Sequence, residues 1–299
     1  MIKPKSITRF SQAFKFTQQY KPTWSCGSAF AGNCVSNYNH IMTYAAVDPK
    51  LEIISHSWLK SILEEYADDR ASQGQDTSGG TLNRHLATVR TVMKVMAKEE
   101  YIDRVPVFQQ WEESEGRTNF YRKEEVDQLI HYSLERDDIA LAHTIQFAAY
   151  TGLRQGELRK LRVRDVDWRD DIIHVGGTPE TRTKAKNYRV VGIADSLKSM
   201  LKMRTQGRDR MGYVFDEWSS GQQLYRKFLK VRSRLIHESD YIDESYVFHT
   251  LRHSYGTWQI QAGTPLIEVK YAMGHKNVST TERYLHNTYG SKRQMANAI

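Results

Sequence analysis

The residues in this 299-residue chain that are best suited to chemistry are histidines, arginines and a tyrosine near its carboxyl terminus. His249 and Arg252 stand three residues apart, so on a helix both project from one side and can converge on a single anionic group. Arginine suits this task because its planar fork of donors matches phosphate oxygens and stays charged at any working pH. His275 and Tyr284 follow further along the chain. Together these residue types predict an anion-binding site of basic and imidazole side chains around a tyrosine.

Arg154 is an upstream candidate for the same site. It follows Gly152, which is expected to end an apolar helix, since glycine readily adopts the left-handed conformation found just after a helix. The turn that follows such a glycine can direct the Arg154 side chain into a cleft.

Two clusters of cations predict further phosphate contacts. One lies between Leu224 and Leu235, where apolar residues share one helix face and cations line another at four-residue steps, with no acidic residue in the segment. Like charges at this spacing destabilise an isolated helix by a few tenths of a kcal/mol each, so an external anion would relieve them. The other cluster directly follows a helix that is predicted to start at Gln155. The predicted contact residues are Arg159, Lys160, Arg162, Arg164, Arg226, Lys227, Lys230 and Arg234.

Composition and missing motifs narrow the function classes. A formal net charge of +8 favours polyanionic partners without requiring them. The sequence has no phosphate-binding P-loop, no dinucleotide-binding glycine motif and no G-x-S-x-G elbow, so nucleotide hydrolysis, dinucleotide binding and lipase-type acyl transfer lack their usual residues. No apolar stretch reaches the ~20 residues of a membrane helix, and no secretory signal is visible. Two cysteines, Cys26 and Cys34, are interpreted as structural thiols in a reducing cytosol.

The elements that must position these residues are mainly helical. Residues 1–105 are predicted to form a helical domain, whose clearest helix runs from Thr81 to Glu100 with apolar residues at three- and four-residue steps. A linker is placed at 106–118, because this stretch contains proline and glycine and has no sustained periodicity. The second domain, 119–299, is predicted to be α+β: mainly α with a small antiparallel sheet. Its predicted helices are Lys123–Leu134, Ile139–Tyr150 and those after Ser196, and its strands are Asp165–Val175 and Tyr188–Ile193.

The order of the motifs resembles that of the tyrosine recombinase family, of the phage-integrase type. The resemblance rests on Thr151–Arg154 with Glu157–Leu158, His249-x-Leu251-Arg252-His253, Gly274–His275, and Tyr284 with His286. It implies that Arg154, His249, Arg252 and His275 activate a DNA phosphate and that Tyr284 is the nucleophile. Glu157 falls on an acidic position of the first motif and is expected to have a structural or orienting role.

The family also uses a lysine on a β-hairpin, and the segment from Thr183 to Ile193 is similar to that hairpin. Lys184 aligns best with the catalytic lysine, which would protonate the departing 5′ oxygen. Lys186 is a close competitor for this role and is otherwise expected to contact DNA.

A phenol has a pKa near 10, so Tyr284 must lose its proton during attack, and His249 is the expected base or oxyanion partner.

The resemblance implies site-specific DNA recombination through a 3′-phosphotyrosine and a Holliday junction, without metal, ATP or any other cofactor. The implied partners are double-stranded DNA at a specific recombination site, three further copies of the chain in a homotetramer on two duplexes, and an accessory or directionality protein. The helical first domain would bind the core site and clamp DNA with the catalytic domain. The chain would act in the cytoplasm of a bacterial or phage-infected cell, and its short tail after Tyr284 would dock on a neighbouring protomer.

Three alternatives remain open at this point. A type IB topoisomerase shares the same active-site logic. A DNA-binding regulator could keep the fold without the chemistry. A metal-dependent hydrolase could use His249 and His253, four residues apart, with His275 or His286 as a third ligand, although no acidic residue that could serve as general base occurs from Val247 to Ile267. The target sequence, and the choice between integration, excision, inversion and dimer resolution, also remain open.

Overall fold

The chain forms two compact units, Met1–Glu115 and Gly116–Ile299. The computed structural model describes residues 6–25, 27–113, 119–176 and 188–285, and the structural statements below concern these ranges. The division falls within the 106–118 segment that the sequence predicts as a linker. Within the described ranges, no helix is both long enough and apolar enough to cross a membrane.

The first unit is helical. Its elements are α1 (Phe10–Tyr20), α2 (Pro22–Ser25), α3 (Ala29–Tyr44), a 3₁₀ turn (Leu51–Ile53), α4 (His56–Ser72) and α5 (Gly79–Lys98). Helix α5 confirms the helix that was predicted at Thr81–Glu100, and it begins two residues earlier because the Ser78 side chain caps it by accepting a hydrogen bond from the Thr81 amide. Its apolar face is buried in the core of the unit, where the buried, free Cys34 also lies.

The segment that follows α5 folds back onto it. The Asn83 amide group donates to Trp111 O at 2.9 Å and to Glu113 Oε1 at 2.7 Å, and Asn83 Oδ1 accepts from the Trp111 amide at 2.9 Å. Arg90 donates to Phe108 O at 3.0 Å. Gly79 permits this approach, because a Cβ at that position would lie 1.9 Å from Glu112 O. The described part of the predicted linker, residues 106–113, is therefore held against the first unit.

The second unit consists of helices and a small sheet. Its helices are α6 (Lys123–Leu134), α7 (Ile139–Thr151), α8 (Gln155–Leu158), α9 (Asp195–Thr205), α10 (Gly221–Glu238), α11 (Thr250–Gln261), α12 (Leu266–Met273) and α13 (Ser279–Glu282). The strands β1 (Val166–Asp167), β2 (Ile172–Val175) and β3 (Arg189–Gly192) form an antiparallel sheet in the order β1-β2-β3, with Ile173 opposite both Val166 and Val191. The predicted fold class, mainly α with a small antiparallel sheet, is confirmed.

Helix α7 lies at the centre of the second unit, in contact with α6, α9, α10 and α11. Its buried face includes Ile145 and Phe147, and the Phe147 ring lies 5.0 Å from that of Phe215. Both α7 and α12 end at a glycine with a left-handed backbone, Gly152 at φ 63° and Gly274 at φ 65°. These two helix ends place free carbonyl groups at the site described below.

The contacts of Asn83 lead to a stability prediction. Replacing Asn83 with alanine removes its three hydrogen bonds to residues 111–113 and leaves partly buried backbone groups unpaired, which costs about 1–3 kcal/mol. We expect amide hydrogen exchange at Trp111 to become about 5- to 150-fold faster in the 299-residue chain. The matched control is Asn33→Ala on the exposed face of α3, which should leave the Trp111 amide unchanged. Equal exchange rates in Asn83→Ala and the native chain would contradict this account of the 106–113 segment.

Candidate active site

Arg154 lies at the amino-terminal end of α8, directly after the turn that Gly152 begins. Its backbone amide donates to Glu157 Oε2 at 2.9 Å, and its guanidinium donates to Glu157 Oε1 at 3.1 Å and to Gly274 O at 3.3 Å. The side chain is nevertheless 43% exposed. Arg154 is thus fixed in orientation and still accessible to a ligand.

Arg252 lies on α11 and is only 3% exposed. Its guanidinium donates to Gly152 O at 2.5 Å and to Met273 O. Both acceptors belong to carboxyl-terminal helix ends, where the helix dipole is negative and favours a cation. Burial, and then the neighbouring charge of Arg154, lower the pKa of Arg252 to about 10, so it remains protonated at neutral pH.

Glu157 is the carboxylate that joins the arginines of the site. It accepts two hydrogen bonds from Arg189 on β3, from Nη1 at 3.0 Å and from Nη2 at 2.7 Å, in addition to those from Arg154. Burial alone would raise the pKa of Glu157, but the hydrogen bonds and charge of Arg189, together with Arg154, lower it to about 2. Glu157 therefore remains ionised and holds two guanidinium groups in place.

Arg189 was not singled out from the sequence. It is buried, and its Nε donates to Ala272 O at 2.7 Å, which ties β3 to the end of α12. The sequence feature that could have identified Arg189 is the two-residue alternation of a strand. Along β3, Arg189 and Val191 are buried while Val190 and Gly192 are exposed. A buried cation needs hydrogen-bond acceptors, and Glu157 is the acidic one for Arg189.

His275 follows the left-handed turn at Gly274. Its Nδ1 is hydrogen bonded to Thr281 Oγ1 at 2.9 Å, and its ring stacks against that of Tyr284 with centroids 6.2 Å apart. Burial and the charges of Arg252 and Arg154 lower the pKa of His275 to about 4. The imidazole is therefore neutral at physiological pH.

Tyr284 is 2% exposed, and its hydroxyl lies 3.1 Å from Nδ1 of His253. Burial raises the pKa of Tyr284, while the charges of Arg252 and Arg283 oppose this change. The ring packs on the backbone of α11 at Gly256, where a Cβ would lie only 2.8 Å from Tyr284 Cε2. The tyrosine is therefore held inside the site, with its hydroxyl directed at a histidine.

His249 lies at the start of α11 and is exposed to solvent. Its ring meets that of His253 edge to face, with centroids 5.0 Å apart. Partial desolvation, and then the charges of Arg252 and Arg154, lower the pKa of His249. Within the described residues, no group of three or more His, Cys, Asp or Glu side chains is arranged to hold a metal ion.

The second unit thus brings together six of the residues predicted for the site: Arg154, Glu157, His249, Arg252, His275 and Tyr284. Lys184 and Lys186 lie outside the described residues, as does His286. His253 was considered in the sequence only as a possible metal ligand, although it stands one helical turn after His249 and next to Arg252.

Several cations of the two predicted phosphate-contact clusters have partners within the protein. Arg159 donates to Trp218 O and Ser219 O, while Arg162 and Arg164 both donate to Met211. Lys227 pairs with Asp138, and Arg234 pairs with Glu135 and Glu238. Lys227 and Arg234 therefore already have acidic partners, which come from beyond the 224–235 segment. Lys160, Arg226 and Lys230 are exposed and have no ion pair with any described residue.

Comparison with known proteins identifies similar sequences. The pattern of the phage integrase family matches residues 119–291, more than half of the chain. A putative integrase/recombinase, y4rF, of Sinorhizobium fredii is 30% identical over 144 residues, which are 46% of this chain and 33% of that protein. Tyrosine recombinase XerD of Oceanobacillus iheyensis is 26% identical over 235 residues, which are 75% of this chain and 76% of that protein. The chain thus matches a third of the first relative and three quarters of the second.

Two solved structures have a similar fold. The transposon Tn1549 integrase, in complex with a circular intermediate DNA, matches with a TM-score of 0.73 and 15% identity over 98% of this chain and 100% of that one. A lambda integrase tetramer bound to a Holliday junction matches with a TM-score of 0.68 and 17% identity over 91% of this chain and 78% of that one. The similarity extends over nearly the whole chain.

The low pKa of Glu157 predicts a pH-dependent contribution to stability. Because this pKa is depressed in the folded chain, the ion pair with Arg189 stabilises the fold above the ordinary value of 4.5 and loses this effect as the pH falls toward about 2. Glu157→Gln should lower the free energy of unfolding at pH 7 by about 3 kcal/mol, and its difference from the native chain should shrink below pH 4.5. Amide hydrogen exchange in α7 measures this difference in the full-length chain.

The control for this prediction is Glu268→Gln, which changes an exposed glutamate on α12. Its free energy of unfolding should change with pH in parallel with that of the native chain. If the free energy of unfolding of Glu157→Gln is also parallel to the native profile, the ion pair does not contribute as described.

Proposed function

Because this chain belongs to the phage integrase family, and is therefore a tyrosine recombinase, we propose that it cleaves and rejoins DNA strands at a specific site through a 3′-phosphotyrosine and a Holliday junction. The observation that carries the proposal is the arrangement of fixed cationic and imidazole donors around one buried tyrosine. ATP is not required, because the new phosphoester to tyrosine replaces the one that is broken, and the cationic and imidazole donors would take the place of a metal ion.

The cationic side chains would activate the scissile phosphate. When a phosphodiester is attacked, extra negative charge develops on its nonbridging oxygens. Hydrogen-bond donors that are already in position lower the barrier most, because they need no reorganisation. Arg154 is accessible and fixed by Glu157, while Arg252 is buried and fixed by two helix ends. His249 and His275 complete the set as neutral donors, because burial, and then the surrounding cations, lower their pKa values.

Tyr284 would then attack the phosphorus atom and form the covalent intermediate, with the 5′ oxygen as leaving group. That oxygen requires a proton, and Lys184 is proposed as the donor on the basis of its alignment with the family's hairpin lysine. A 5′ hydroxyl from the partner strand attacks the phosphotyrosine in the second step, so joining needs no external energy source.

The proposed partners follow from the family and from the exposed cations that have no ion pair among the described residues. Double-stranded DNA would contact both the helical first domain (1–105) and the catalytic domain (119–299). Lys160, Arg226 and Lys230 are proposed as contacts to its backbone, because they are exposed and have no internal ion pair among the described residues. Four copies on two duplexes are proposed by analogy with the lambda integrase tetramer, and an accessory protein would set the direction of the reaction in the cytoplasm.

The central prediction is a covalent complex that depends on Tyr284. The DNA site is first obtained by trapping the chain on fragmented DNA from the cell that encodes it, followed by sequencing of the bound fragments. On a duplex of that sequence with a nick beside the scissile phosphate, the released fragment diffuses away and the native chain should accumulate a covalent adduct. Tyr284→Phe should form none.

The rivals predict different results in the same experiments. Cleavage that is lost in EDTA would favour metal-dependent hydrolysis and contradict the proposal. A plasmid carrying two copies of the site should yield recombinant products, whereas relaxation of supercoils without recombinants would favour a topoisomerase. Equal adduct formation by Tyr284→Phe would show that another residue is the nucleophile.

The assignment of the general acid is tested by comparing two lysines. Lys184→Ala should slow single-turnover cleavage by about 10²-fold or more, and Lys186→Ala should have a much smaller effect. A duplex with sulfur in place of the 5′ bridging oxygen should restore the rate of Lys184→Ala, because a thiolate leaves without being protonated. The opposite ranking of the two variants would transfer the role to Lys186.

A further inference from the structure

The hydroxyl of Tyr284 is hydrogen bonded to His253, a residue that the proposed mechanism has not used. The distance from Tyr284 Oη to His253 Nδ1 is 3.1 Å, whereas His249, the base expected from the sequence, contacts the His253 ring instead. Because Tyr284 is almost completely buried, bulk water has little access to its proton. The structure thus offers His253 as the acceptor for the phenolic proton.

The position of Tyr284 makes this contact specific. On one side its ring stacks on that of His275, and on another it lies against Gly256, one helical turn after His253 on α11. A side chain at position 256 would collide with two atoms of the tyrosine ring and with Met273 Sδ. The ring is thus confined between α11 and the segment after α12, and within this space its hydroxyl is hydrogen bonded to His253.

Burial and the charges around His253 keep its imidazole neutral. Burial, then His249, Arg283 and Arg252, lower the pKa of His253 to about 3, so it carries no charge at physiological pH. In the tautomer with its proton on Nε2, Nδ1 has a free lone pair and accepts a hydrogen bond from the tyrosine hydroxyl.

Bound DNA would change this balance. A phosphodiester placed at Arg154 and Arg252 brings a negative charge that offsets the cations that weaken His253 as a base. The proton affinity of His253 therefore rises when its substrate is in place. Before DNA binds, burial keeps the phenol protonated, and its hydrogen bond to His253 holds the hydroxyl in position.

We propose that His253 positions the Tyr284 hydroxyl and accepts its proton as the phenolic oxygen attacks the scissile phosphate. In this step the bond between Tyr284 Oη and phosphorus forms and the bond from phosphorus to the 5′ oxygen breaks. The phenolic proton moves to His253 Nδ1, and the departing oxygen takes a proton from the general acid assigned to Lys184. His249 would then interact only with the phosphate oxygens. This assignment rests on the proposed function, because it requires Tyr284 to be the nucleophile.

The test separates proton transfer from packing. Asparagine at position 253 can place an amide oxygen where Nδ1 lies, so His253→Asn keeps an acceptor but removes the basic nitrogen. On the nicked duplex this variant should cleave about 10²-fold or more slowly than the native chain. The 5′ sulfur substrate should not restore its rate, because the defect is on the nucleophile side, in contrast to Lys184→Ala.

A more acidic nucleophile supplies the second readout. Incorporation of 3,5-difluorotyrosine at position 284 lowers the pKa of the phenol, so the attack depends less on a base. The rate loss caused by His253→Asn should therefore shrink by about tenfold or more. The loss caused by His249→Asn should stay the same, because that residue acts on the phosphate. Melting temperature and DNA affinity of each variant show whether it is folded.

The outcomes distinguish the inference from the function on which it rests. If the native chain forms no adduct, the proposed function fails and the inference fails with it. If the native chain forms the adduct and His253→Asn cleaves equally fast, only the inference is overturned. A loss in a folded His253→Asn variant that is identical with tyrosine and difluorotyrosine would also overturn it, because a merely structural role predicts that result.

Discussion

The site depends on keeping three guanidinium groups of like charge in one small region. Arg154, Arg189 and Arg252 would repel one another and lose their hydration there unless acceptors of fixed geometry surrounded them. Glu157 supplies one such acceptor for Arg154 and Arg189. The other acceptors are backbone carbonyls at the ends of α7 and α12, which receive Arg252, Arg154 and Arg189. Each cation therefore has a compensating partner before any ligand is present.

The two glycines that end these helices account for this arrangement. A left-handed backbone at Gly152 and Gly274 stops each helix and leaves its last carbonyl groups free to accept hydrogen bonds. A side chain at either glycine would also enter occupied space, at 2.5 Å from the Tyr255 ring and 3.0 Å from Arg189 respectively. The same helix ends thus provide the acceptors, and the missing side chain of Gly274 leaves room for Arg189. Burial, with Arg252 among the neighbouring charges, lowers the pKa values of His253 and His275, so the imidazoles next to the tyrosine are neutral in the free protein.

The sequence predicted the elements whose signals are local. Helix α6 has the predicted bounds, α7 differs by one residue at its end, and the antiparallel sheet occupies the two predicted segments, because apolar periodicity and glycine positions determine these features. Most of the candidate site was also available from motif order, through the family resemblance. Arg189 and His253 were not identified, because their roles come from partners 32 and 31 residues away in the chain. The acidic partners of Lys227 and Arg234 were missed for the same reason. Asp138 and Glu135 precede the sheet segments in the sequence, whereas the two cations follow them.

The central claim is that the buried tyrosine held by this network becomes covalently attached to DNA. The most direct measurement is digestion of the trapped protein–DNA complex with protease and nuclease, followed by mass spectrometry of the peptide that carries the nucleotide. The account predicts a single modified residue, Tyr284, bearing a nucleotide joined through its 3′ phosphate. A nucleotide on another residue, or one joined through a 5′ phosphate, would contradict it.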